Sequence, residues 1–192
     1  MKTIEPFVFQ HLLNTGILPN VKTLIVGENA PNPNTYFYRA WNVSLNLPKI
    51  ATNPFLINVA EAMRVNIKVN NPSTKKPWTE REVLDEIVLK KRVVVIDSYK
   101  NGISSPQPNN RHSLIDIDND IRLINPQKII FIHLGANTIT IKDLIQLNPQ
   151  YYSSVVAPDF INLRFCHVFP NYPREIKAFK DSIGFLIDNG LI

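Results

Sequence analysis

Residues 23–42 hold the densest grouping of chemically capable side chains in the chain. A β-branched run, Thr23-Leu24-Ile25-Val26, stops at Gly27, and Glu28 follows. Next come the amides Asn29, Asn32 and Asn34 with Pro31 and Pro33, and then Tyr36, Phe37, Tyr38, Trp41 and Asn42. Rings can stack on a flat heterocycle, amides can read its edge, and a carboxylate can hold or deprotonate a water. A nucleobase fits that set. Glu28 is the leading candidate for water activation, and its structural alternative is a helix cap or a pairing with Arg39.

Two histidines lie near the ends of apolar runs, His133 in Ile129–Gly135 and His167 in Cys166–Phe169. A neutral imidazole there could donate to an oxygen that gains negative charge. The competing reading is a satisfied core histidine, and it weighs more for His167. No His-x-His, His-Glu-x-x-His or acid cluster suggests a metal, and no cofactor is expected. Gly-x-x-x-x-Gly-Lys, Gly-x-Gly-x-x-Gly and Gly-x-Ser-x-Gly are all absent, against the common phosphate loops and the α/β-hydrolase elbow.

These residues need elements to position them. Short apolar runs predict strands at 22–27, 93–97, 128–134 and 163–169. Apolar spacing predicts helices at 5–15, 54–65, 79–91, 113–124, 137–147 and 173–189. Pro54 opens one of these helices, Thr79-Glu80-Arg81-Glu82 reads as a capping box, and Gly16 and Gly190 read as stops. Strands alternating with helices imply an α/β domain, a three-layer α/β/α sandwich around a central four-stranded parallel sheet. Ligands of open sheets sit beyond the carboxyl ends of the strands. The loops leaving the four strands are therefore expected to meet on one rim, and those at 28–52 and 98–112 are long enough to be functional.

Composition sets the outer bounds. The chain has 192 residues with 44% hydrophobic content, which suits one domain over 1–192 burying about 70% of its unfolded surface. No apolar run reaches membrane-spanning length, and the N-terminus lacks a signal-peptide core, so a cytoplasmic protein with no membrane partner is expected. The single cysteine, Cys166, excludes an internal disulfide and a four-cysteine iron–sulfur cluster within one chain. A net charge of +5 is compatible with nucleic acid.

Four blocks in order resemble the uracil-DNA glycosylase superfamily, nearest its mismatch-specific and hypoxanthine-type branches. They are Leu24–Pro31 followed by Tyr36–Asn42, then Val93–Asp97, Ile129–Gly135 and Cys166–Pro173. Asn32 stands where the family commonly has glycine, and the last loop lacks its Ser-Pro forms. The resemblance implies cleavage of the N-glycosidic bond of a damaged or deaminated base flipped out of DNA. It implies catalytic roles for Glu28, Asn42 and His133, stacking by Phe37, Tyr38 and Trp41, and reading of the base edge by Asp97. It places Asn171, Tyr172, Arg174 and Lys177 on the DNA, with Phe169 or Tyr172 as a wedge and Arg174, Lys177 and Lys180 near a phosphate. DNA is the expected partner and a monomer the expected state.

Two alternatives stay open. One is the same fold with a degraded site that binds nucleic acid or a nucleobase without cleaving it. The other is an unrelated doubly wound α/β protein that binds a small nucleotide.

Overall fold

The computed structural model describes residues 3–27, 37–42, 50–97, 112–133, 140–154, 159–164, 173–190 and 192. Helix α1 (Pro6–Asn14) leads to strand β1 (Thr23–Gly27), with Gly16 at φ +70° as the stop. A short 3-10 turn (Arg39–Trp41) precedes α2 (Pro54–Ala62). Helix α3 (Glu80–Asp85) continues as a π turn (Glu86–Lys90) into β2 (Val93–Asp97). Then follow α4 (Leu114–Ile124), β3 (Lys128–His133), α5 (Ile141–Leu147), α6 (Pro149–Tyr152), β4 (Asp159–Arg164) and α7 (Pro173–Asp188).

The strands pair in parallel in the order β2-β1-β3-β4. Every residue of β1 and β2 is buried, as in a sheet covered on both faces. The core joins Leu24, Ile25, Val94, Ile96, Ile129 and Ile130 to Val8, Leu56, Val83, Ile87, Ile117 and Phe179 from the helices. On one side α2 touches α3 and α7, and elsewhere α4 touches α5 and α5 touches α6. Among the described residues no helix is long and apolar enough to cross a membrane.

Local chemistry explains the helix starts. The capping box at Thr79 is present: Thr79 accepts from Glu82 N, and Glu82 accepts from Thr79 N. Thr140 and Asp143 form a second box at α5, which the sequence reading did not single out. Pro54 opens α2 behind the Asn53 cap.

Several elements differ from expectation, among them α5, which starts at Ile141 behind the Thr140 cap and not at 137. Helix α2 ends at Ala62 instead of Val65, because Arg64 adopts φ +61° and leaves the helical region. Strand β4 begins at Asp159, four residues before the expected start at Leu163. Asp159, Asn162 and Arg164 interrupt its apolar pattern, which an edge strand tolerates and even favours. Helix α6 was not expected; Asn148 caps it by accepting from Tyr151 N.

Candidate functional site

The rim is set by the register of the sheet. Gly27 and Asp97 are paired residues at the ends of β1 and β2. On the other side of β1, Val26 lies level with Phe131, so His133 ends β3 one residue beyond the level of Gly27. His133 in turn pairs with Arg164, the last residue of β4. Strands lie about 4.8 Å apart, so the backbones of Asp97 and His133 are roughly 10 Å apart across β1. The chain leaves β1 toward β2 on one side and leaves β3 toward β4 on the other. The divergence between β1 and β3 makes the switch point where such sheets form their ligand crevice.

Asp97 is the unusual group on this rim. It is 5% exposed, and its Oδ1 is buried with no hydrogen-bond partner among the described residues. Burial alone pushes its pKa up to about 7. A Cβ added to Gly27 would lie 3.0 Å from that oxygen, tighter than nine in ten real Cβ contacts. Glycine at position 27 thus gives the carboxyl room against β1 that a Cβ would narrow by a few tenths of an ångström. Buried polar atoms are nearly always bonded, so an orphaned carboxyl oxygen at a strand end needs an explanation.

The aromatic cluster has another job. Tyr38 is 1% exposed, and its hydroxyl donates to Val95 O at 2.9 Å and accepts from Val95 N at 2.7 Å. Strand β2 is at the edge of the sheet, and this one side chain satisfies both outward backbone groups of Val95. Phe37 meets the Tyr38 ring edge-on at 4.9 Å, and Trp41 lies 5.5 Å from it on centroids. Trp41 also contacts His11 at 4.2 Å and donates from Nε1 to Asp85 Oδ1 at 2.8 Å. A ring that stacks a base must offer an open face. Phe37, Tyr38 and Trp41 are 2%, 1% and 6% exposed, so the stacking role expected of them is corrected to core packing and edge capping.

Arg39 is held by Glu80. Its Nε donates to Glu80 Oε2 at 2.7 Å, and its terminal nitrogen pairs with Oε1. Glu80 Oε1 also accepts from Thr52 N at 3.0 Å and Asn53 N at 2.9 Å. Burial pushes the Glu80 pKa up, but the hydrogen bonds from Arg39 and Thr52 outweigh it and the net shift is downward. Glu80 therefore ties the 3-10 turn, the start of α2 and the start of α3 into one corner. The sequence marked it only as a member of the capping box.

The remaining candidates fall as follows. Asn42 is half-buried and closes the 3-10 turn, its N–H donating to Arg39 O at 3.0 Å. His133 is the last residue of β3, at the strand end where the sequence put it. Arg174 is exposed in the first turn of α7. Lys177 pairs with Asp181 at 2.5 Å, and Lys180 pairs with Glu61 of α2. The expected cationic face of α7 is thereby largely neutralised by its own carboxylate partners. Glu28, Asn171, Tyr172, His167, Phe169 and Cys166 lie outside the described residues.

A cleft of about 600 Å³ lies between the end of α2 and the second half of α7, lined by Glu61, Arg64, Lys180, Phe185 and Asp188 among others. Its charges pair with each other, Arg64 with Asp188 at 2.8 Å and Lys180 with Glu61. Among the described residues none of the strand rim lines it. Among the described residues no group of three or more His, Cys, Asp or Glu could hold a metal.

No family model, no curated protein and no solved structure matches this chain.

Proposed function

We propose that the chain is a DNA glycosylase-like hydrolase that cleaves the N-glycosidic bond of a damaged or deaminated base flipped out of DNA. The observation that carries this reading is Asp97: a buried carboxyl with an unpartnered oxygen, at the strand end where the resemblance puts the base reader. The strands within two further blocks of the resemblance end near the same level, β1 at Gly27 and β3 at His133.

The strand order also suits the three-layer α/β/α arrangement of that superfamily. The step from β1 to β2 and the step from β2 to β3 run in opposite directions across the sheet. Parallel crossovers are almost always right-handed, so α2 and α3 would cover one face and α4 to α6 the other. The contacts of α2 with α3 and α7, and of α4 with α5, agree with that division.

In this reading the roles divide by chemistry. Glu28 follows Gly27 directly in the chain and would orient or deprotonate the attacking water, a contribution of about 10²–10⁴-fold. Asn42 supplies an amide as the runner-up for that task. Asp97 would hold the base edge, and His133 would donate to the base oxygen as the bond breaks. Asn171, Tyr172, Arg174 and Lys177 would meet the DNA, and flipping the base would cost a few kcal/mol. The protein would act as a cytoplasmic monomer without a cofactor.

The closed aromatic cluster favours a second reading, in which the fold binds nucleic acid or a free base without cleavage, because none of Phe37, Tyr38 and Trp41 has an open face for stacking. A panel of labelled duplexes carrying uracil, hypoxanthine or mismatches separates the two. Alkali-labile sites at the lesion support the hydrolase. Retained duplex with no alkali-labile site on any substrate supports the binding module.

A further inference from the structure

Along the helices, cations sit beside carboxylates. Arg81 meets Asp85, Lys90 meets Glu86, Arg122 meets Asp118 and Lys177 meets Asp181. Lys22, Lys91 and Arg92 are different: none of the three has a carboxylate partner among the described residues.

The sheet brings these three together. Thr23 and Val93 open β1 and β2 level with each other, so Lys22 and Arg92 are the residues just before them on adjacent chains. Lys22 N donates to Arg92 O at 3.0 Å, and Lys91 is next in the chain. Lys22 and Arg92 are exposed, and Lys91 is half-buried. Adjacent strands run about 4.8 Å apart. Like charges held abreast at that spacing cost stability unless something opposes them. Asp159 opens β4 at the same end of the sheet, but it is level with Lys128 and two strands from β1.

The backbone at this corner adds a donor. Lys91 closes the π turn at φ −84° and ψ −10°, and Arg92 turns left-handed at φ +58°. A right-handed residue followed by a left-handed one aims successive N–H groups into a shared concavity that suits an anion. The Lys91 N–H is bonded to Glu86 O at 3.1 Å, whereas that of Arg92 has no partner among the described residues. Glycine or asparagine is the ordinary choice for a left-handed helix stop. An arginine there accepts strain and sets a guanidinium beside the free N–H. The exposed amides of Asn20 and Gln127 flank the corner, with Gln127 N donating to Val21 O at 3.2 Å.

A single exposed ion pair contributes little, so one small anion would be held weakly here. A chain of phosphates meets several cations at once and releases its condensed counterions. Amide side chains and backbone N–H groups add contacts to phosphate and sugar oxygens.

We propose that the amino end of the sheet, at Lys22, Lys91 and Arg92, is a docking surface for the phosphodiester backbone of nucleic acid. It lies one strand length, about 15 Å, from the Gly27 and Asp97 rim, so a strand docked there leaves the rim open. The assignment stands apart from the glycosylase reading, because base release plays no part in it.

The test follows a labelled, lesion-free duplex by fluorescence anisotropy with the full chain, from about 50 to about 200 mM salt. Three variants are compared with the native chain: Lys22→Gln; Lys22→Gln with Lys91→Gln and Arg92→Gln; and Lys75→Gln with Lys76→Gln. The last pair is exposed between α2 and α3 and serves as the control. Each phosphate contact contributes about 0.9 to the slope of log affinity against log salt. The triple variant is expected to lose about 2–3 from that slope and about tenfold or more in affinity at the lower salt, and Lys22→Gln about 1 from the slope. The control is expected to keep the native slope. Thermal melts confirm folding, and Lys22→Gln, which leaves the left-handed residue untouched, carries the test alone if the triple variant does not fold. No duplex binding by the native chain at the lower salt, an unchanged slope in Lys22→Gln, or an equal loss in the control overturns the proposal. Displacement of the duplex by inorganic phosphate beyond that by chloride of equal ionic strength identifies a single-phosphate pocket and also overturns it. So does a triple variant that keeps duplex binding but loses binding to phosphatidylserine vesicles.

Discussion

Gly27 and Asp97 end adjacent strands in register, and a Cβ on Gly27 would press against the Asp97 carboxyl at 3.0 Å. The two residues therefore bear on each other: a side chain at residue 27 would push the carboxyl back by a few tenths of an ångström. Gly27→Ala is expected to destabilise the protein by about 1–3 kcal/mol through overpacking. It should cost less in an Asp97→Ala background, with a coupling above about 1 kcal/mol in a double-mutant cycle of chemical denaturation. Additive effects would show that the two side chains do not meet.

The Asp97 carboxyl also shapes stability against pH. Its pKa is raised in the folded state, so the folded chain holds a proton that the unfolded chain has released. Stability from this group is complete below the ordinary carboxylate pKa of about 4 and declines up to about 7, where it levels off. The slope is on the order of 1.4 kcal/mol per pH unit. Asp97→Asn is expected to remove this component, so that the variant gains on the native protein between about pH 4 and 7 in urea unfolding. A difference that is constant with pH would contradict the buried, proton-holding carboxyl.

Tyr38 should behave as an edge cap and not as a stacking ring. Tyr38→Phe leaves the N–H and C=O of Val95 without their partner. A cost of about 2–4 kcal/mol is expected, and a Tm lower by roughly 5–10 °C. Hydrogen exchange at the Val95 amide should accelerate, and base release at low temperature should persist. An unchanged Tm with lost release would return Tyr38 to the substrate.

Glu80 carries the opposite pH signature from Asp97. Its pKa is lowered, so its contribution is present above the ordinary carboxylate range and is lost as the pH falls through the folded value. Glu80→Gln removes the charge that faces Arg39, whose side chain is 11% exposed, and is expected to cost about 3–5 kcal/mol near neutrality. The variant should also show a shallower loss of stability in acid than the native chain. Thermal melts across the acid range check both points.

The framework was legible in the sequence because it rests on local signals. The runs within Thr23–Gly27, Val93–Asp97 and Lys128–His133 are largely apolar, as strands covered on both faces require. The box at Thr79 and the stop at Gly16 announce themselves by residue type. Strand β4 was misplaced because Asp159 and Asn162 break its apolar run, and an edge strand has no need of one. The aromatic residues misled for a related reason. A ring near a strand end looks the same in sequence whether it faces a ligand or, as with Tyr38, a neighbouring strand's exposed backbone. Glu80 was overlooked because its partners, Arg39 and Thr52, lie far from it in the chain. The Asp97 position was readable from the end of its run, but its orphaned oxygen depends on packing.

The most direct test of the hydrolase is single-turnover release of uracil and of hypoxanthine from a labelled duplex, comparing the native chain with Glu28→Gln. Release by the native chain, slowed about 10²–10⁴-fold in the variant, is the expected result. No release of either base by folded native protein, or equal release by both proteins, would contradict it.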